Sequence, residues 1–191
     1  MKLNRLKNLY CYLSGPIDYE VDKGEGWRNM ITPFLEDLGV KVLNPLHHSF
    51  MGADKIPAKR IKMDSLLKNN QFEELHEEMK ELVHMDLRSV DLSSFIICNY
   101  DSTVHMCGTY EEIFAGNTSV KPVLLVHKKP RNELSSWLYG RLPPAHFFDS
   151  WNVLKTYLTD IDSDPDYKFT KADKKRWLFF DENVDESENV G

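Results

Sequence analysis

Residues 86–116, DLRSVDLSSFIICNYDSTVHMCGTYEEIFAG, predict the fold class and the position of a functional site. The apolar run at residues 92–99 is typical of a parallel strand that is buried on both faces of a sheet. After a polar loop, Gly108 and Thr109 open a helix, and Thr109 is the expected N-cap. Glu112 then falls in the first turn of that helix, at the carboxyl edge of a central strand. Because open α/β sheets bind ligands at this edge, the stretch is a candidate site.

The chain before this stretch reads as a β-α-β unit. A strand at residues 9–13 runs into a Gly15-Pro16 turn, which brings backbone close to whatever lies above the sheet. A helix with apolar residues at helical spacing follows over residues 27–38, and residues 40–43 form the next strand. Such crossovers connect parallel strands. The turn lacks the G-x-G-x-x-G spacing, so no dinucleotide-binding fingerprint is present.

Further elements alternate along the rest of the chain. We predict a short helix over residues 59–69, a longer helix over 73–90, a strand at 122–127, a loop at 128–144, a strand at Phe147-Phe148 and a helix over 150–158. Residues 160–175 show no clear pattern. The alternation predicts a single-domain α/β protein whose open parallel sheet of about five strands has helices on both faces. The small number of strands favours the flavodoxin-like order within the Rossmann-like class.

Composition limits the classes of function. The chain has 191 residues and a net charge of −6, and five of its acidic residues lie in residues 181–191, a stretch without Lys or Arg. We assign residues 1–180 to the α/β domain and expect residues 181–191 to be a disordered acidic tail. The rest of the chain is nearly neutral, which argues against binding of nucleic acid through a basic surface.

Membrane, metal and cofactor functions are not expected. No apolar run approaches the roughly 20 residues that a membrane span needs, and the N-terminal apolar run is too short for a signal peptide. Cys11, Cys98 and Cys107 show no metal-ligand spacing and are expected to be reduced thiols of a cytoplasmic protein. In the acidic run at residues 160–166, Pro165 stands where a calcium loop requires glycine. We therefore predict neither a metal site nor a cofactor.

Asp86 is an unusual residue for its position. It lies on the apolar stripe of the predicted helix over residues 73–90, four residues after Leu82. A carboxylate near the C-terminal end of such a stripe is unfavourable, both through burial and through the helix dipole. It therefore needs a partner, for which Arg28 and Arg88 are candidates, or a function.

Four motifs combine in this sequence: Tyr12-Leu13-Ser14-Gly15-Pro16, Asp86-x-x-x-Val90-Asp91, Gly108-Thr109-x-x-Glu112-Ile113, and NELSSWLYG at residues 132–140. Together they resemble the nucleoside 2-deoxyribosyltransferases and their relatives, the 2'-deoxynucleoside 5'-monophosphate N-glycosidases. The resemblance covers roughly residues 10–151. It implies a pentosyltransferase that acts on deoxynucleosides or deoxynucleotides and nucleobases.

The resemblance also implies roles for single residues. Glu112 matches the family's nucleophile, Tyr12 the tyrosine that orients it, and Asp91 the aspartate that helps to handle the base. Asp101 matches the carboxylate that binds sugar hydroxyls. Further candidate substrate-binding residues are Gly15, Asp86, Ser102, Gly108 and Thr109.

A homo-oligomer with a shared site is expected. Asn132 matches the asparagine that a neighbouring subunit lends to the site, or Glu133 does if the register shifts by one. Trp137, Leu138 and Tyr139 lie between polar residues in the same segment, which suits an interface.

The chemistry suits these residue types. Cleavage of an N-glycosidic bond passes through an oxocarbenium-like sugar, which a carboxylate such as Glu112 can trap at C1'. A second acid can protonate the departing base, and both Asp86 and Asp91 are candidates. The N-terminus of the predicted helix is expected to lower the pKa of Glu112 and so to keep it ionised.

Three functions are weighed. The first is a nucleoside 2-deoxyribosyltransferase that works through a covalent glutamyl-sugar intermediate. The second is hydrolysis of a deoxynucleoside monophosphate, with Ser14, Ser102, Thr103 and the helix N-terminus as a phosphate site. The third is a catalytically silent nucleotide sensor. The loops around residues 15–18 and 99–108 contain no Arg or Lys to neutralise a phosphate, which favours the transferase.

Overall fold

Helices and strands alternate along the chain as the sequence predicts. The computed structural model describes residues 3–17, 20–47 and 55–180, with side chains from residue 59 onward in the last range. The strands are β1 (Tyr10–Ser14), β2 (Lys41–Leu43), β3 (Phe95–Tyr100), β4 (Val123–His127) and β5 (Phe147–Phe148). The α-helices among these residues are α1 (Glu25–Asp37), α2 (Lys55–Lys68), α3 (Phe72–Leu92), α4 (Cys107–Thr118), α5 (Ser136–Arg141), α6 (Trp151–Ser163) and α7 (Lys171–Arg176). The predicted acidic tail, residues 181–191, lies outside the described residues.

The five strands form one parallel sheet in the order β2-β1-β3-β4-β5. This confirms the predicted α/β class and the flavodoxin-like strand order. The order reverses between β1 and β3, and in such sheets a crevice opens at the carboxyl ends of the two strands that flank the reversal. Here Ser14, the last residue of β1, lies beside Cys98 of β3 at that crevice.

Each face of the sheet has its own apolar core, because strand side chains alternate between the faces. On one face, Leu13 packs with Leu35 of α1 and with the apolar residues of α6. On the other face, Tyr12 packs with Ile113 of α4 and with the apolar residues of α3 and α5. Ser14 follows Tyr12 by two residues and therefore faces the same layer of helices.

The boundary between α3 and β3 differs from the prediction. The helix continues through Leu92, and Ser93 ends it with extended backbone. The Ser93 hydroxyl donates a hydrogen bond of 2.7 Å to the carbonyl oxygen of Val90. The strand therefore begins at Phe95 rather than at residue 92, since a serine that satisfies a free helix carbonyl stops the helix there.

The C-terminal third contains more structure than predicted. The region predicted as a loop at residues 128–144 includes a 3₁₀ turn at Arg131–Glu133 and helix α5. Residues 160–175 contain the end of α6 and the whole of α7. A capping box between Thr170 and Asp173 begins α7, and this T-x-x-D pattern is present in the sequence.

Buried aspartates hold the two ends of the described chain against α6. Asp173 accepts hydrogen bonds from the Tyr157 hydroxyl at 2.7 Å and from Nε2 of His146 at 3.0 Å. Asp162 accepts one of 2.9 Å from the backbone N–H of Leu6. The acidic run around residue 162 therefore has a structural role. No helix within the described ranges is both long and apolar enough to cross a membrane.

Candidate active site

The side chain of Glu112 receives a hydrogen bond on each carboxylate oxygen. The Tyr12 hydroxyl donates to Oε1 at 2.9 Å, and the Ser14 hydroxyl donates to Oε2 at 2.5 Å. Both donors come from the same face of β1, two residues apart. The carboxylate is therefore fixed in orientation and stabilised in its ionised form by two neutral donors.

Helix α4 begins earlier than predicted. Its first residue is Cys107, and its N-cap, Met106, makes no side-chain cap hydrogen bond. Thr109 is the third helical residue and is buried, so the prediction that it is the N-cap was wrong. Met106 is itself buried in the core, and this contact draws the helix start back. Glu112 consequently lies in the second turn and points towards β1.

The pKa of Glu112 differs from the expectation. Burial raises it, and the negative charge of Asp86 raises it further, to about 7. Hydrogen bonds from Ser14 and Tyr12 and the positive charge of Arg28 oppose this rise. The prediction that the helix N-terminus lowers this pKa was wrong, because the helix dipole acts mainly within the first turn and burial dominates deeper in the helix.

A pocket of about 410 Å³ opens over Glu112. This volume lies within the range of small-molecule sites. Apolar side chains of α3, among them Leu82 and Val83, form one wall. The polar and charged lining comes from Arg60 of α2, Asp86 of α3, His105 of the β3–α4 loop, and Thr109, Glu111 and Glu112 of α4.

Four predicted binding residues lie at this pocket with Glu112: Gly15, Asp86, Gly108 and Thr109. Gly15 is required by close packing on its other side. A Cβ added there would lie 2.9 Å from the Trp27 ring and 3.2 Å from the carbonyl oxygen of Asn99. The Gly-Pro turn therefore lies at the pocket, as the sequence predicts. Residue 15 must be glycine because a side chain there would collide with Trp27.

Asp91 is not brought to the pocket. Its side chain is exposed, and its main-chain carbonyl accepts a hydrogen bond from Nζ of Lys121. Helix α3 runs antiparallel to the strands, as expected of a crossover, so its last residues lie at the amino edge of the sheet. Asp86 lies five residues earlier, about 7.5 Å nearer to the carboxyl edge. The aspartate that shares the pocket with Glu112 is therefore Asp86, which corrects the placement implied for Asp91.

Asp101 and Ser102 also lie apart from the carboxylate of Glu112. Asp101, at the end of β3, accepts hydrogen bonds from Nζ of Lys128 at 2.7 Å and from the hydroxyl and N–H of Thr103 at 2.6 and 3.0 Å. Burial opposes its ionisation, but these hydrogen bonds lower its pKa to about 2. Ser102 is exposed in the following turn. In this chain Asp101 therefore organises the β3–α4 loop.

Asn132 lies on the exposed 3₁₀ turn after β4 and does not line the pocket of its own chain within the described residues. Trp137, in the adjacent α5, is 68% exposed. The role that the resemblance implies for Asn132 requires a second copy of the chain and stays a prediction.

Three side chains near the site were not expected from the sequence to act together with Glu112. Ser14 was considered only as a phosphate contact, although its spacing of two residues from Tyr12 on a strand could have indicated a shared direction. Arg28, which the sequence suggested as a partner for Asp86, is fully buried. Arg60 comes from α2, and no sequence signal indicates that this helix contributes to the pocket. Among the described residues, no cluster of three or more His, Cys, Asp or Glu side chains could hold a metal ion.

Comparisons with known proteins give a likeness of overall structure. No family model matches the sequence, and no curated protein matches it. The chain is similar to a solved 2-deoxyribosyltransferase from the psychrotolerant bacterium Bacillus psychrosaccharolyticus, with a TM-score of 0.49 and 19% identity over 85% of this chain and 95% of that chain. It is also similar to a solved 2-deoxyribosyltransferase from Leishmania mexicana, with a TM-score of 0.48 and 18% identity over 79% of this chain and 97% of that one. At this degree of likeness, neither the activity nor the site residues of these two proteins can be assigned to this chain.

Proposed function

We propose that this chain cleaves the N-glycosidic bond of a 2'-deoxynucleoside and transfers the deoxyribosyl group to a second nucleobase. The observation that carries the proposal is the carboxylate of Glu112, which is partly buried, held through both oxygens and directed to a pocket at the switch point of the sheet. A carboxylate held in this way is suited to attack on a sugar carbon.

In the first step, an oxygen of Glu112 bonds to C1' of the sugar while the bond from C1' to the base nitrogen breaks. The electron pair of that bond stays on the base, which takes a proton from a neighbouring acid. The product is a glycosyl ester on Glu112 and a free base. Because the nucleoside lacks a 2'-hydroxyl, the oxocarbenium-like sugar forms readily and the carboxylate can approach it closely.

In the second step, a nitrogen of the incoming base bonds to C1' and the ester bond to Glu112 breaks. The electron pair returns to the carboxylate, and the incoming base gives its proton to the group that acted as the acid. The second step thus restores the carboxylate of Glu112 and the proton of the acid, and a second donor nucleoside can bind. Water must be kept from C1' between the two steps.

We assign the acid role to Asp86 rather than to Asp91. Asp86 lines the pocket, and its charge raises the pKa of Glu112, so the two carboxyls are electrostatically coupled. Hydrogen bonds from Tyr12 and Ser14 favour the ionised form of Glu112, which is the form that attacks C1'. Of the two candidate aspartates, Asp86 lines the pocket and Asp91 does not, so we assign the acid role to Asp86.

Hydrolysis of a deoxynucleoside 5'-monophosphate is the second candidate. Arg60 of α2 lines the pocket that contains Glu112, so the pocket has the arginine that the two neighbouring loops lack. Arginine binds phosphate through paired hydrogen bonds. The pocket arginine favours a phosphorylated substrate. The segment at residues 132–140, in which Asn132 and Trp137 are exposed and Leu138 is buried in the core, suits a subunit-shared transferase site.

One experiment separates these functions. The purified protein is incubated with deoxynucleosides and with the matching 5'-monophosphates, each with and without a second base, and the products are separated by chromatography. We expect base exchange on the nucleosides, with slow release of free sugar when no acceptor is present. If a monophosphate is cleaved faster than its nucleoside, and the rate and products do not change when a second base is added, the hydrolase is favoured. Binding of these compounds without any product would favour the nucleotide sensor.

A further inference from the structure

We propose that Arg28 is a positioning residue for Glu112, which it serves by holding the end of β1 from the opposite face of the sheet. The inference rests on the function proposed above. It concerns a residue that does not line the pocket and does not contact Glu112.

Arg28 binds the main chain on both sides of Ser14. Its Nη2 donates to the carbonyl oxygens of Gly15 at 3.0 Å and Leu13 at 3.3 Å, and its Nε donates to Leu13 at 3.4 Å. Ser14 is the residue between these two carbonyls, and its hydroxyl donates to Glu112. Because the guanidinium clamps both neighbours of Ser14, it fixes the position from which this hydroxyl reaches the carboxylate.

The guanidinium is enclosed by residues that fit it closely. Its Nη1 donates a hydrogen bond of 2.9 Å to the carbonyl oxygen of Gly24. Its central carbon, Cζ, lies 4.4 Å from the centre of the Trp27 ring, in a cation–π contact. Gly24 has a φ of 72°, in the left-handed region, and a Cβ there would collide with Nη1. The β1–α1 turn is therefore built around the arginine.

Arg28 is positively charged, and no carboxylate among the described residues forms a salt bridge with it. All its hydrogen-bond acceptors are main-chain carbonyls, and its side chain is fully buried. Burial lowers its pKa to about 10, so it remains protonated at neutral pH. Burying such a charge is costly, and a fold retains it only where it has a compensating role.

The charge of Arg28 also acts on Glu112, across the end of β1. The groups that influence the titration of Glu112 are Tyr12 and Ser14 from β1, Asp86 from α3 and Arg28 from α1. Arg60, His105 and Glu111 line the same pocket, and the charge of Glu112 in turn raises the pKa of Cys98 in β3. Asp86 favours the protonated form of Glu112, whereas Arg28 favours the ionised form. Loss of the arginine should therefore displace Ser14 and raise the pKa of Glu112.

The test uses a measurement that does not depend on turnover. The protein is labelled with ¹³C at the side-chain carboxyl of glutamate, and the Glu112 signal is identified by its absence in Glu112→Gln. In Arg28→Met we expect the titration midpoint of Glu112 to rise by roughly one pH unit. In Arg28→Lys, which keeps the charge but lacks the planar guanidinium that spans the carbonyls of Leu13, Gly15 and Gly24, we expect a smaller rise and a fall of about 10–100-fold in kcat.

A matched control separates positioning from general destabilisation. Asp173→Ala removes the hydrogen bonds that hold α7 to Tyr157 of α6 and to His146, and should lower the melting temperature without moving the Glu112 titration. If Arg28→Met does not fold, Arg28→Lys carries the test.

An unchanged titration midpoint and an unchanged kcat in the folded Arg28 variants would overturn the inference. Wild-type protein that converts no nucleoside would instead overturn the proposed function, and the titration would still decide the effect of Arg28 on Glu112.

Discussion

Tyr12 and Glu112 are 100 residues apart in the chain, and the Tyr12 hydroxyl donates a hydrogen bond of 2.9 Å to Oε1 of Glu112. The two meet because β1 and β3 are neighbours in the sheet, which brings α4 over the end of β1. Burial raises the pKa of Tyr12 well above its ordinary value, and the charge of Glu112 acts in the same direction. The hydroxyl therefore keeps its proton at neutral pH and acts as a fixed donor to the carboxylate.

Replacement of Glu112 tests the nucleophile directly. We expect Glu112→Gln to lower kcat by at least about a thousandfold, because an amide cannot form the glycosyl ester. The neighbouring Glu111 is exposed and also lines the pocket. Glu111→Gln should retain most of the rate, since no hydrogen bond from Tyr12 or Ser14 fixes that side chain. Base-exchange rates of both variants check this, and the opposite order of effects would assign the nucleophile to residue 111.

Asp86 and Asp91 form a second matched pair. Asp86→Asn should lower the rate of base exchange by about 10²–10⁴-fold, because an asparagine cannot give a proton to the departing base. Asp91→Asn should leave the rate near that of the wild type, since its exposed side chain lies at the other edge of the sheet. Single-turnover rates with one deoxynucleoside compare the two. A larger loss in the Asp91 variant would contradict the assignment of Asp86.

The raised pKa of the Glu112 carboxyl predicts a pH-dependent gain of stability in Glu112→Gln. In the folded protein its pKa is about 7, above its ordinary value of 4.5. The folded state therefore binds this proton more tightly than the unfolded chain. The resulting stabilisation is fully present below pH 4.5 and is lost as the pH rises through 7.

We expect Glu112→Gln to be more stable than the wild type near pH 8 by up to about 3 kcal/mol and to lose this advantage near pH 5. Urea unfolding of both proteins at the two pH values measures the difference. A difference that is the same at both pH values would show that the carboxyl does not titrate in this range.

The cysteines provide a probe of the pocket. Cys107 is exposed and lines the pocket, whereas Cys11 and Cys98 are buried and burial raises the pKa of both thiols. A bulky maleimide should therefore react once per chain, at Cys107, and block base exchange by filling the pocket. Mass spectrometry gives the site of reaction. Cys107→Ser should be insensitive to the reagent, and a bound deoxynucleoside should slow the labelling.

The expected homo-oligomer is tested at the exposed tryptophan of α5. We predict that Trp137→Glu lowers the molecular mass in light scattering and lowers activity in parallel, because the interface would lend Asn132 to a neighbouring pocket. Leu178 is 69% exposed and serves as a matched apolar control, so Leu178→Glu should change neither. A wild-type protein that is fully active as a monomer would remove the shared-site prediction.

The alternation of strand and helix patterns was sufficient to predict the class of fold. Short isoleucine- and valine-rich runs in β3 and β4 show burial on both faces, and right-handed crossovers then leave few possible strand orders. The same local physics failed at boundaries. Thr109 resembles an N-cap, yet the burial of Met106 places the start of α4 at Cys107, because tertiary packing outweighs a capping preference.

For the site, the sequence by itself determined which residue types stand at the strand ends. Tyr12 and Ser14 point the same way because strand side chains alternate, and Glu112 follows the strand that pairs with β1. Tertiary structure alone decided between Asp86 and Asp91, because the choice depends on how far along α3 each residue lies from the carboxyl edge. It also decided the pKa of Glu112 and the contact of Arg28 with the β1 end, since burial and charge proximity arise only when α1, α3 and α4 pack on the sheet.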